Sequence, residues 1–201
     1  MPSQLLPRLE KKNLRLDDEV RFIRSWLEKP LAIGAVTPSG RVLARVMARY
    51  VDPRIPGPVI ELGPGTGPVT EALLDRGVPE DRLVLVEFNP TFCQLLRARF
   101  PKATVLQADA YAALRRHQTN GSDTPAAAVV SGLPLFTKPL KTRARLLRDA
   151  FGILRLGAPF IQFTYAVVPP IPKMLAGGKV EASDRIWLNL PPARVWVYRK
   201  T

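Results

Sequence analysis

Residues 59–74, VIELGPGTGPVTEALL, constrain the fold of this chain more than any other stretch. Val59, Ile60 and Leu62 suit a strand covered on both faces, because an alternating polar face is missing. Gly63, Gly65 and Gly67 allow a tight turn and the close approach of a ligand to the backbone. Thr66 or Gly67 can serve as the N-cap of a following helix, with Pro68 near the first helical position, where its missing N–H costs nothing. Such a helix start presents free N–H groups and the positive end of a dipole to an anion. The spacing is G-x-G-x-G, and no Lys-Ser/Thr pair follows, which excludes a nucleoside-triphosphate loop. Glu61, immediately upstream, would repel a phosphate and suits a cationic group. A ligand carrying both a carboxylate and cationic centres fits all of these features.

The rest of the chain alternates strand and helix. Residues 40–50 read as a helix with Val42, Leu43, Val46 and Met47 on one face. Strands are expected at 82–88, 103–109, 126–133 and 158–168, with helices at 90–100 (opening with Pro90 after Asn89), 110–116 and 140–154. Residues 118–125 are polar and turn-rich, and 169–178 are rich in Pro and Gly. Residues 185–190 and 194–199 alternate like the arms of a hairpin around Leu190-Pro191-Pro192. Repeated βα units of this kind imply an α/β fold: a Rossmann-like, doubly wound parallel sheet, here closed by a C-terminal antiparallel hairpin to seven strands, with ligands at the strand carboxyl ends.

Two further acids fall at strand ends. Glu87 closes the second strand 24 residues after Gly63, the place where such folds hold ribose hydroxyls. A carboxylate can accept from both the 2′- and the 3′-hydroxyl. Asp109 closes the third strand and is placed to accept from an adenine amino group. Glu61, Glu87 and Asp109 at successive strand ends, joined to the glycine loop, point to S-adenosylmethionine as the ligand, with S-adenosylhomocysteine as its product form. Thr66, Gly67, Phe88, Ala110 and Ser131 complete the expected cofactor-facing set. No metal is expected.

The chain of 201 residues carries a net charge of +13, so its surface attracts polyanions, either nucleic acid or anionic lipid headgroups. No stretch approaches the ~18 uninterrupted apolar residues of a membrane span, and residues 1–19 lack the apolar core of a signal peptide. A single cysteine, Cys93, fits a reducing compartment and reads as a small buried hydrophobe. Residues 17–28, DDEVRFIRSWLE, open with acids and place Val20, Ile23 and Leu27 on one face, with Phe22 and Trp26 on its flank. With Arg21 and Arg24 beside them, these residues suit a bilayer interface, although the same periodicity suits packing on the domain core. The expected organisation is a membrane-contacting segment at 1–30 and a catalytic domain at 31–201.

The motifs IELGPGTG (60–67), VEFNP (86–90), QADA (107–110) and SGLPL (131–135) together resemble class I S-adenosylmethionine-dependent methyltransferases. With the upstream block LAIGAVTPSGRVLARVM at 31–47, they resemble the bacterial phospholipid N-methyltransferases, over roughly residues 15–201. The resemblance implies metal-free stepwise N-methylation of phosphatidylethanolamine towards phosphatidylcholine, on the inner face of the cytoplasmic membrane. It implies contacts to the cofactor from Glu61, Gly63, Gly65 and Glu87, and to adenine from the Asp109-Ala110 region. An alternative is an RNA adenine N6-dimethyltransferase, which shares this style of glycine loop. That chemistry uses an Asn/Asp-Leu/Ile-Pro-aromatic motif to hold the target amine and stack on the base. Here Ser131-Gly132-Leu133-Pro134-Leu135 provides neither the amide nor the ring in place, and the length after the fifth strand leaves no room for an RNA-binding helical domain. A non-catalytic membrane or RNA adaptor is a further alternative, against which the intact cofactor constellation argues.

Methylation of an amine needs a neutral nitrogen aligned with the methyl carbon and its leaving group. No strong base stands out. His117, the single histidine, leads into a polar loop. The methylated headgroup is a bulky cation that aromatic faces can hold. Tyr165 is the candidate catalytic-pocket residue, or else an ordinary strand-end packing residue; Trp26 and Phe136 are further candidates. Arg41, following Ser39-Gly40 at a helix start, is a candidate for the lipid phosphate together with Ser39, or a plain surface arginine.

Overall fold

A computed structural model describes residues 38–119 and 124–201. Its elements run in strict alternation: α1 (Pro38–Ala48), β1 (Val59–Leu62), α2 (Pro68–Asp75), β2 (Leu83–Glu87), α3 (Pro90–Arg99), β3 (Thr104–Gln107), α4 (Ala110–Thr119), β4 (Ala128–Ser131), α5 (Leu140–Ile153) and β5 (Pro159–Thr164). A short α6 (Lys173–Ala176), β6 (Gly178–Ala182) and β7 (Arg194–Lys200) follow. The segment at 1–30, with Trp26, lies outside the described residues.

The strands form one seven-stranded sheet in the order β3-β2-β1-β4-β5-β7-β6. β1 to β5 pair in parallel, and β7 inserts antiparallel between β5 and β6. The expected α/β sheet with its C-terminal hairpin is therefore present. Strand order reverses between β1 and β4, and a crevice opens at such a switch point beyond the carboxyl ends of the strands.

Side chains of a strand alternate between faces, and the two cores follow from that alternation. Val59 of β1 joins Leu83, Leu85, Ile161 and Val197 beneath α1, α2 and α3, where Met47, Leu73 and Leu96 are fully buried. Ile60 and Leu62 join Val86, Val129, Phe160 and Tyr198 on the opposite face, beneath Leu114 of α4 and Leu146 and Leu147 of α5. Both faces being covered explains why β1, β2 and β4 read as near-continuous apolar runs. Cys93 is buried on α3, as its small apolar character implied. No helix among the described residues is long and apolar enough to cross a membrane.

The hairpin's first arm differs from the sequence expectation. It lies at Gly178–Ala182, not at 185–190. β6 is an edge strand that exposes Lys179 and Glu181, and outward charges of this kind keep a bare edge from pairing with other chains. Beyond it, Val195 donates to the Ser183 hydroxyl (3.0 Å) rather than to a strand partner. Pro191 and Pro192 have no N–H to donate, so the ladder reduces to an isolated bridge between Ile186 and Ala193. The alternation of 185–190 reflects a loop with inward and outward residues.

Candidate active site

The glycine loop leaves β1 at the switch point, and backbone bonds fix both of its walls. Gly63 N donates to Val86 O of β2 (2.9 Å), and Gly132 N donates to Leu62 O of β1 (2.8 Å). The loops after β1 and β4 are so close that a Cβ on Gly132 would sit 2.7 Å from Gly63 O. Gly65, at φ +58°, occupies the left-handed region, and a Cβ there would meet nothing within 4 Å. Its open side is the place where a ligand can approach the main chain. Gly67 is the N-cap of α2 and Pro68 follows it, as the sequence implied; no side chain caps that end. The α2 N-terminus therefore presents main-chain N–H groups towards the loop.

Glu87 holds this loop. Its Oε2 accepts from Gly65 N (3.1 Å) and its Oε1 from Asn89 N (2.8 Å). An ionised carboxylate has about four lone-pair sites, so acceptance from ribose hydroxyls is compatible with both bonds. Asn89 caps α3 through Thr91 N and Phe92 N. Phe88 projects from the same strand end and is 75% exposed.

Glu61 is placed differently from an open pocket acid. It is buried on the α1–α3 face of β1, and Thr70 of α2 donates its hydroxyl to Oε2 at 2.7 Å. Burial pushes its carboxyl up to about 7, with the Glu87 charge adding to the rise and the Thr70 bond opposing it. A cation entering the crevice would draw it back towards the ionised form.

Asp109 lies past β3, where its Oδ1 accepts from Ala112 N (2.9 Å) and so holds the first turn of α4. This leaves Oδ2 for a ligand. Ala110 is buried at the α4 start. Beside them, burial pushes the Tyr111 hydroxyl up to about 12, with the Asp109 charge contributing. Ser131 is fully buried at the end of β4, and its Oγ accepts from Leu133 N (3.4 Å).

Three polar residues outside the expected set shape the site. Arg99 of α3 donates to Thr66 O on the back of the glycine loop and pairs with Glu71 in the first turn of α2. It braces the loop from outside the ligand side. Gln162 of β5 is fully buried, and its Nε2 donates to Leu133 O (3.0 Å) and Phe163 O (2.8 Å). Two carbonyl acceptors fix the amide orientation, since the flipped form would oppose oxygen to oxygen. Arg143 of α5 lies 5.0 Å over the Phe136 ring. One face of Phe136 is thus already engaged by a cation.

The remaining candidates lie after β5 and on α1. Tyr165 immediately follows β5, half-buried, with its ring edge-on to Phe163 at 5.5 Å and its carbonyl accepting from Arg185. It packs in part against the α1–α3 core. Ser39 falls in the first turn of α1, and Arg41 is exposed on that helix.

These features fit S-adenosylmethionine: an open main-chain approach at Gly65, a carboxylate beside it, an uncapped helix start and a buried acid responsive to positive charge. A family model described as ribosomal RNA adenine dimethylase matches residues 42–134, from α1 to the loop after β4. The ornithine lipid N-methyltransferase of Singulisphaera acidiphila is 32% identical over 152 residues, which span 74% of this chain and 79% of that protein. The chain belongs to this bacterial lipid N-methyltransferase family. It is an S-adenosylmethionine-dependent methyltransferase. Among solved structures, the TehB-like S-adenosylmethionine-dependent methyltransferase of Corynebacterium glutamicum superposes with a TM-score of 0.56 at 15% identity, covering 92% of this chain and 99% of that one. The glycopeptide N-methyltransferase MtfA, solved with S-adenosylmethionine, gives 0.50 at 19% identity over 82% of this chain and 68% of that one. At those identities the likeness is one of fold. For this lipid N-methyltransferase family member, the adenine dimethylase match spans the cofactor-binding half of the sheet that all these enzymes share.

Proposed function

We propose that this enzyme N-methylates the amine of phosphatidylethanolamine and of its mono- and dimethylated forms, at the cytoplasmic face of a membrane. The observation that carries this reading is the extent of the lipid-enzyme match, 74% of the chain, against an RNA-enzyme match that stops at residue 134. The substrate-side loop supports it: at 131–135 the chain has SGLPL, without the amide and the stacking ring that adenine methylation requires. A net charge of +13 suits anionic lipid as well as RNA and does not discriminate between them.

When bound, S-adenosylmethionine supplies an electrophilic methyl on a sulfonium for in-line attack by an amine lone pair. On this reading, Gly63, Gly65, Thr66 and Gly67 cradle the amino-acid end, and the α2 N-terminus holds its carboxylate. Glu87 accepts from the ribose while keeping the loop in place. Asp109 accepts from adenine through Oδ2, with Phe88 and Ala110 on the ring faces. Ser131 and the Gln162-pinned Leu133 carbonyl shape the amine's approach. Exclusion of water in this crevice, beside a positive centre, favours the neutral amine by desolvation and like-charge repulsion. Tyr165 lines the pocket for the methylated cation, and Ser39 and Arg41 hold the lipid phosphate.

Incubation with labelled cofactor and vesicles of phosphatidylethanolamine, followed by separation of the lipid products, tests the substrate. Label in mono-, di- and trimethylated species is the expected result. Label appearing only when an ornithine lipid replaces phosphatidylethanolamine would move the substrate to the amine of that lipid.

A further inference from the structure

The loop between β6 and β7 reverses the usual arrangement of a surface turn. Its Asn189 is turned inward, and its large apolar side chains point out. Trp187, Leu188 and Leu190 are 74%, 77% and 85% exposed, while Asn189 between them is buried and donates to Pro191 O at 2.7 Å. The loop is braced at both roots. Ile186 and Ala193 exchange backbone bonds of 2.8 and 3.3 Å, and Arg185 donates to both Tyr165 O and Pro192 O at 3.2 Å. The Arg185 guanidinium also lies 5.6 Å from the Trp187 ring. An exposed Leu or Trp taken singly means little; three within four positions on a fixed loop form a patch.

Topology fixes where this patch faces. β6 is antiparallel to β7, and β7 to β5, so β6 ends at the same edge of the sheet as β1 to β5. Residues 183–193 therefore stand at the edge that carries the glycine loop, Glu87 and Ser131. The charges beside the loop are Asp184, Arg185 and Arg194, on a chain that carries +13 overall. A Trp and two Leu tips flanked by arginine match the interfacial layer of an anionic bilayer, which takes aromatic and apolar side chains at headgroup depth and attracts cations.

We propose that the Trp187–Leu190 loop is a membrane wedge, inserted into the headgroup region beside the active-site edge so that a lipid amine reaches the crevice without leaving the bilayer. The assignment of lipid as the substrate class rests on the function proposed above; the docking itself is testable without it. The wedge depends on tip residues that hold nothing in the folded core, so their replacement leaves the cofactor site intact.

The test uses the full chain and vesicles of phosphatidylethanolamine and phosphatidylglycerol with brominated acyl chains. Bromine is expected to quench tryptophan fluorescence in the wild type, and Trp187→Phe is expected to reduce the quenched component, measured in a Trp26→Phe background. Leu188→Ser combined with Leu190→Ser is expected to weaken vesicle co-sedimentation by about tenfold or more, with S-adenosylmethionine affinity unchanged by calorimetry as the folding control. Unaltered vesicle affinity in that double variant, or unquenched Trp187, would overturn the wedge. So would loss of self-association in the double variant without loss of vesicle binding, which would assign the patch to a second copy of the chain. Wild-type vesicle binding through the loop with no methylated lipid formed would remove the substrate reading and leave the wedge standing. Lipid methylation with vesicle binding indifferent to the loop would do the reverse.

Discussion

The Glu87 carboxylate accepts from Gly65 N and Asn89 N at once, so its removal both takes away an acceptor for the ligand and loosens the loop that binds it. Glu87→Ala is expected to weaken S-adenosylmethionine and S-adenosylhomocysteine alike by about 10- to 100-fold, the worth of a charge-assisted hydrogen bond; calorimetry giving wild-type affinity would take Glu87 out of the site. Glu61 carries a pH dependence. Burial raises its carboxyl from 4.5 to about 7, so the folded state holds its proton more tightly than the unfolded chain does. Its contribution to stability is complete below its unfolded value and is lost as pH rises through 7. Thermal stability without ligand is expected to fall between about pH 5 and 8, and to fall less in Glu61→Gln. A cationic ligand favours the ionised form, so binding near neutrality is expected to release protons. Heats of binding that do not vary between buffers of different ionisation enthalpy would contradict that linkage. Glu61 and Glu87 were legible in the sequence because strand ends flank a glycine loop. Arg99 and Gln162 were not, since their bonds to Thr66 and Leu133 span 33 and 29 residues and only folding brings them together.

The loops after β1 and β4 separate binding from stability. Gly65→Ala places a methyl in open space at φ +58°, which costs roughly 1–2 kcal/mol of backbone strain. The domain is expected to fold and to lose cofactor affinity by about tenfold or more through steric contact with the ligand. Gly132→Ala drives a methyl to 2.7 Å from Gly63 O, where no flexible side chain can yield. That variant is expected to lose about 1–3 kcal/mol of stability, read as a lower denaturation midpoint. The reverse pattern, with Gly65→Ala unstable and Gly132→Ala neutral, would mean the loop geometry is wrong. At this scale the sequence carried β1, α2, the start of α3 at Pro90 and the α5 helix, because periodicity and helix-start signals are local. It misplaced the hairpin's first arm because 185–190 alternates as a strand does, while Gly178–Ala182 is short and charged. Pairing with β7 decides between them, and pairing is not a local property.

Across the whole molecule, a parallel sheet with its switch point between β1 and β4 places every acid of the cofactor set at one edge, and the β6–β7 loop joins them there. A net charge of +13 suits anionic lipid and RNA alike; the proposed lipid reading rests on the loop after β4 and on the reach of the lipid-enzyme match. The direct measurement is a single reaction holding labelled S-adenosylmethionine, phosphatidylethanolamine vesicles and ribosomal RNA together, with lipid and nucleic acid separated before counting. Label is expected in the lipid fraction, and Glu87→Ala is expected to abolish most of it. Label in the RNA with none in the lipid would contradict the account.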